Sequence, residues 1–171
     1  MGYVHDTAMS QFIPPDACSY VTGTWADAAG AVANTIAMSR TAADASTVIT
    51  VPITIPQNSA SYKGSKLVSV DVWFEVLTAA LDAMAALIHQ AVLPADGAAF
   101  AAPTALTFTY DTGHDAAGER IDIDQHKMTL TLATPIWLDD DDLILVQITI
   151  DAAATSASTF FGARANFTLR V

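Results

Sequence analysis

Between residues 67 and 78 the chain alternates without a break. Val68, Val70, Val72, Phe74 and Val76 fall on one side of an extended backbone, and Ser69, Asp71, Trp73 and Glu75 on the other. A helix brings together residues three and four apart, so strict period-two alternation over this length belongs to a strand with one face on a core and one towards water. Such a strand needs partners along both edges for its backbone N–H and C=O groups. This one segment commits the chain to a sheet.

The remaining segments extend the same pattern. Residues 47–55 are strongly β-forming, but Pro52 among them cannot donate to a ladder, which places that strand at a sheet edge or at a bulge. Residues 106–110 alternate, and residues 127–134 turn Met128, Leu130 and Leu132 to one side. The near-continuous apolar run at 143–150 suits the middle of a sheet. Residues 160–171 close the chain with Phe167 and Leu169, after a bulge at Gly162, and residues 31–38 could form a short first strand. Residues 81–93 admit two readings. Leu81, Met84, Ala85, Ile88 and Val92 make a helical stripe, whereas Met84, Ala86, Ile88 and Val92 share one face of a strand. A strand partner satisfies the backbone of 67–78 most simply, so the strand is the reading adopted.

The expected fold is therefore all-β: an antiparallel, jelly-roll-like β-sandwich of seven to eight strands over residues 31–171, preceded by an extended N-terminal arm or lead-in over residues 1–30 whose polar first part ends in Pro14-Pro15. Hydrophobic residues make up 52% of the 171, inflated by alanine, while charged residues reach only 15%, which excludes a disordered chain. Eighteen acidic residues face seven basic ones, for a net charge of −11. A surface of that sign repels phosphate backbones and anionic lipid, so neither nucleic acid nor membrane is an expected partner. No apolar run reaches the length of a membrane span, and no signal peptide is readable at the N-terminus. Asp6 stands where a myristoylation motif wants Ser or Thr.

Candidate chemistry is sparse. Cys18 is alone, so it reads as a small buried or half-buried thiol rather than a nucleophile. Asp111-Thr112-Gly113 matches the aspartic-protease triplet, but one copy would need a dimer, and His114 follows where a small residue is usual, so an Asx-turn loop is the plainer reading. His114, Asp115 and His126 could be drawn as metal ligands, although no fixed spacing orients them. Asp122 and Asp124 would face solvent on a strand, with Ile121 and Ile123 towards the core. Asp139, Asp140, Asp141 and Asp142 are the candidate Ca²⁺ ligands, without the EF-hand pattern. A solvated turn that also discourages edge pairing is the plainer reading. No G-x-S-x-G, Walker A or G-x-G-x-x-G motif is present, and no catalytic residue and no cofactor are expected. The sequon at Asn166 lacks a secretion context. Trp73, on the polar side of its strand, together with Trp25 and Phe12, are the candidate interface residues.

Four stretches carry a resemblance: Tyr62-Lys63-Gly64-Ser65-Lys66, Leu93-Pro94-Ala95-Asp96-Gly97, Tyr110-Asp111-Thr112-Gly113-His114-Asp115, and the closing Gly162-Ala163-Arg164-Ala165-Asn166-Phe167-Thr168-Leu169-Arg170-Val171. In style they make residues 63–171 resemble small structural proteins of tailed-phage particles. The resemblance implies a β-sandwich that decorates a capsid or builds a tail, commonly as a trimer, made in the host cytoplasm and carried in the virion without catalysis. Small side chains and a low total charge agree with self-association. The expected function is thus a non-enzymatic virion component, with homo-oligomers and other virion proteins as partners. The alternative is a carbohydrate-binding or adhesin-like module, with a glycan as ligand beside Trp73, Asp71 and Glu75.

Overall fold

The long alternating segment is a thirteen-residue strand, Ser65–Leu77 (β6), counted in chain order over residues 5–28, 37–56 and 64–170, the residues that the computed structural model describes. Before it come Asp6–Ile13 (β1), Ser19–Val21 (β2), Trp25–Asp27 (β3), Met38–Arg40 (β4) and Ala45–Ile53 (β5). After it come Ala83–Val92 (β7), Thr104–Leu106 (β8), Phe108–Tyr110 (β9), Gln125–Leu138 (β10), Asp142–Ala152 (β11) and Ala157–Arg170 (β12). Seven of these strands have eight residues or more, and among the described residues helix is confined to two single 3-10 turns, Pro15–Ala17 and Gly118–Arg120. The short strand expected over 31–38 lies outside the described residues except at its end, where β4 begins.

The strands form two antiparallel sheets. A seven-stranded sheet runs β3-β4-β12-β6-β10-β9, with β1 also on the edge of β12, and a five-stranded sheet runs β2-β5-β11-β7-β8. The long strands β5, β6, β7, β10, β11 and β12 alternate between the two sheets in chain order, so each connection crosses the core. That is the expected β-sandwich, with jelly-roll connectivity. Between the sheets lie Val70, Val72, Phe74 and Val76 from β6, Met128 and Leu130 from β10, and Ile144, Val146, Ile148 and Ile150 from β11. Each such side chain contributes about 1.5–3 kcal/mol by leaving water.

Local expectations meet the structure unevenly. The segment 81–93 is a strand, with Met84, Ala86 and Ile88 in the core, but Val92 is exposed because it sits on the last rung, opposite Asp142. Val68 is not on the core face. The ladders of β6 slip there, Leu67 takes the buried place, and Val68 is left at a bulge. Pro52 lies beyond the end of β2, whose last rung is Ser19 opposite Thr50, so its missing N–H faces an open edge. Residues 106–110 are not one strand. The chain breaks at Thr107 and changes sheet, β8 pairing β7 and β9 pairing β10. Ile121 to Asp124 are not a strand either: Ile121 packs against the core while Ile123 is exposed.

The N-terminal segment is extended, but it lies along the sandwich rather than reaching away from it. All eight residues of β1 pair with β12. Gly162 makes this possible. It has φ +117° at the expected bulge, and a Cβ there would stand 2.6 Å from the Ile13 carbonyl oxygen and 2.8 Å from Phe12 Cζ. Only glycine admits both that conformation and that approach.

Candidate functional site

The outer face of the seven-stranded sheet is built around Trp73. Rung by rung, β6 meets β10 and β12 so that Trp73 faces Lys127 and Gly162, and Asp71 faces Thr129 and Arg164. Ser69 faces Thr131 and Asn166. The Asp71 side chain is buried beneath these neighbours. Its Oδ1 accepts from Thr129 Oγ1 at 2.7 Å, and its Oδ2 accepts from Arg164 Nη2 at 2.7 Å, Arg164 Nε at 3.1 Å and Asn166 Nδ2 at 3.2 Å. Burial by itself raises the Asp71 carboxyl, but those hydrogen bonds and the nearby Lys127 charge outweigh it and hold it below the usual carboxylate range. Asn166 also donates to Ser69 Oγ and accepts from Ser10 Oγ at 2.8 Å. A glycan attached at its Nδ2 would break this network.

Phe12 and Trp73 meet with ring centroids 6.3 Å apart, and Phe12 remains 56% exposed. Arg164 lies 5.1 Å and Lys127 5.8 Å from the Trp73 ring. The far end of the same face repeats the theme in mirrored order. Lys66 on β6 faces Trp137 on β10 and stands 5.3 Å from its ring, and Arg170 lies 4.4 Å from it. Trp137 is 42% exposed. Of the three expected interface residues, Trp73 and Phe12 belong to this face. Trp25 does not: its indole N–H donates to Thr47 Oγ1 at 3.1 Å, its ring packs on Tyr20 at 4.8 Å, and both lie against the core.

The opposite face, on the five-stranded sheet, has another character. Three consecutive rungs turn outward Pro52–Leu145–His89, Thr50–Gln147–Leu87 and Val48–Thr149–Ala85. None of these is Asp, Glu, Lys or Arg. A hollow of about 250 Å³ opens among Thr50, His89, Pro103, Leu145 and Gln147. His89 Nδ1 is buried there without a hydrogen-bond partner among the described residues.

The titratable loop after β9 closes on itself. Asp111 Oδ1 accepts from the Thr129 backbone N–H at 2.7 Å, and its Oδ2 lies 3.0 Å from His114 Nδ1. His114 Nε2 lies 3.2 Å from His126 Nδ1, and His126 Nε2 lies 3.0 Å from the Asp122 carbonyl oxygen. A carbonyl only accepts, so His126 Nε2 donates to it, and the two rings share one hydrogen across the contact between His114 Nε2 and His126 Nδ1. Burial raises the Asp111 carboxyl, but the Thr129 N–H and His114 outweigh it and keep it below the ordinary range. The His126 ring stacks on Phe74 at 4.6 Å, and Arg120 ties the loop down through the carbonyls of His114, Asp115 and Met84. The two histidines thus serve as each other's partners, and Asp115 stands apart, exposed. The DTG aspartate is engaged inside the same loop.

The acidic turn does not gather its carboxylates. Asp142 is buried and accepts from Gln90 Nε2 and the Asp139 backbone N–H, both at 2.8 Å, while Asp139, Asp140 and Asp141 are exposed. Among the described residues no three His, Cys, Asp or Glu side chains are placed to hold a metal ion. Cys18 is half-buried; burial first, and the Asp16 charge second, push its thiol up to about 12, so it carries little thiolate.

What sequence reasoning missed is the pairing of Asp71 with Arg164 and the mirrored Trp137 site. The signal for the second was present, since Trp137 alternates with core residues Ile136 and Leu138.

No protein-family model matches this chain, and no curated protein does. Its backbone is similar to several solved structures at low identity. One is TmCBM61 in complex with β-1,4-galactotriose, at 10% identity and TM-score 0.39, covering 92% of this chain and 86% of that one. Another is the family 32 carbohydrate-binding module of C. perfringens NanJ in complex with galactose, at 11% identity and TM-score 0.39, covering 92% and 99%. A third is a family 11 carbohydrate-binding module from Clostridium thermocellum with a mixed-linked tetrasaccharide, at 8% identity and TM-score 0.33, covering 98% and 89%.

Proposed function

We propose that this chain is a non-catalytic assembly module that packs against other copies of itself through the outer face of its five-stranded sheet. One observation carries the reading: three consecutive rungs across β5, β11 and β7 present no Asp, Glu, Lys or Arg, on a chain whose net charge is −11. An antiparallel sheet face that meets water is normally polar, whereas five of these nine outward positions, Pro52, Leu145, Leu87, Val48 and Ala85, are apolar. An uncharged one, with Leu87 46% and Leu143 38% exposed, gains by being covered. The sequence resemblance supports placing such a module in a virus particle, as a capsid decoration or tail component beside companion virion proteins, with a three-fold ring as the arrangement it implies. The test is light scattering on the native chain and on Leu145→Lys and Leu87→Lys. Oligomers that fall to monomers in the variants, with unchanged far-ultraviolet spectra, support the reading. A native chain that is monomeric at every concentration overturns it.

The Trp73 face favours a second reading, a glycan-binding surface. It combines an aromatic ring, a fixed carboxylate and amide network, and hydroxyl groups from Ser69, Thr129 and Thr131 on adjoining rungs. Glycan-array binding that disappears in Trp73→Ala and weakens in Lys127→Ala supports it. An array with no hits removes it.

A further inference from the structure

We infer that the outer face of the seven-stranded sheet is a site for a linear acidic polysaccharide, one whose uronate carboxylates reach both Lys127 beside Trp73 and Lys66 beside Trp137. The inference rests on the glycan-binding reading above and names its ligand class.

Charge placement is the first support. The chain has only seven Lys and Arg residues among eighteen Asp and Glu, and four of the seven, Lys66, Lys127, Arg164 and Arg170, stand over the two tryptophans of this one face. With acids in such excess, a lysine outside every ion pair is notable; Lys127 acts on Asp71 only from beyond salt-bridge distance, and Asp71 is already paired with Arg164. Among the described residues the ion pairs are Asp111–His114, Asp71–Arg164 and Asp6–Arg170. The two arginines are therefore neutralised in place. The two ammonium groups instead rest beside indole rings, which hold them by cation–π attraction without cancelling their charge.

Spacing is the second support. Lys66 and Trp73, whose rung partner is Lys127, are seven positions apart on β6 with one bulge between them, so the two ammonium groups lie roughly 20 Å apart along the strand at about 3.3 Å per residue. An extended polymer with sparse negative charge meets both; a small anion meets one. The ground between them is Ser69, Thr131, Asn166 and Thr129, hydroxyl and amide groups suited to sugar hydroxyls.

The test uses the whole chain and three probes: alginate, alginate whose carboxylates have been reduced to alcohols, and polyglutamate, each measured by calorimetry at low and high salt. Alginate is expected to bind, to weaken with salt, and to lose on the order of tenfold in affinity in Lys66→Ala and again in Lys127→Ala. Reduced alginate binding as tightly as alginate would overturn the acidic class and leave the glycan reading standing. Polyglutamate binding as tightly as alginate would overturn it in favour of an acidic peptide. If alginate does not bind, the inference fails; if the glycan array is also blank, the reading beneath it fails too.

Discussion

Arg164 and Asp71 face each other across the β12–β6 ladder, 93 residues apart in sequence, with Arg164 Nη2 2.7 Å from Asp71 Oδ2. The carboxylate is buried and the guanidinium partly exposed. Removing the carboxylate strands the side-chain hydrogens of Thr129 and Asn166 as well as the arginine charge. Asp71→Ala is expected to cost about 2 kcal/mol, less than a fully buried pair because the arginine head can rehydrate. Urea denaturation measures it, and a loss below about 0.5 kcal/mol would mean that the network is ornamental.

Acid should weaken the fold. Asp71 and Asp111 both hold their carboxyls below the ordinary range in the folded state. The unfolded chain therefore binds protons first as pH falls. Their contribution is complete above the unfolded Asp value of about 3.9 and disappears as pH drops through the folded values. Denaturation midpoints should decline below about pH 4.5, and the decline should flatten in Asp71→Asn and Asp111→Asn. An equally steep decline in both variants would assign the acid sensitivity elsewhere.

Gly162→Ala should displace β1. The added methyl would meet the Ile13 carbonyl and the Phe12 ring in a backbone conformation that alanine rarely adopts. A destabilisation of about 2 kcal/mol or more is expected, with faster amide exchange concentrated in residues 6–13. Uniformly faster exchange along the whole chain would contradict a local cause.

His126→Ala removes both the ring stacked on Phe74 and the hydrogen-bond partner of His114 Nε2. The loop should loosen first where it is tied to the sheets, at Val76 N–H to Asp124 and Leu81 N–H to Ile121. Exchange of those two amides should rise before that of β11. If both remain protected, Arg120 alone secures the loop.

The sheet layout was legible because alternation is local: Met128, Leu130 and Leu132 announce their side of β10 without reference to any partner. The apolar run of β11 likewise announces a central position, which it occupies between β5 and β7. Bulges were less legible. Nothing in Leu67-Val68 says which of two adjacent apolar residues will be buried, since the slip is set by the neighbouring strands. The break at Thr107 was hidden for a related reason, because alternation continues through it while the backbone changes sheet. Site chemistry was the least legible. His114 and His126 were visible as neighbours in sequence, but their use of each other as hydrogen-bond partners depends on how the loop folds back. The charged face depends on register among β6, β10 and β12, which no single segment encodes.

The place of β12 has a consequence for synthesis. Residues 157–170 slot between β6 on one flank and β1 and β4 on the other. Until that strand leaves the ribosome, β6 has a naked border and β1 has nothing to lie against. Nascent chains stalled before residue 157 should therefore be substrates for holdase chaperones rather than folded intermediates.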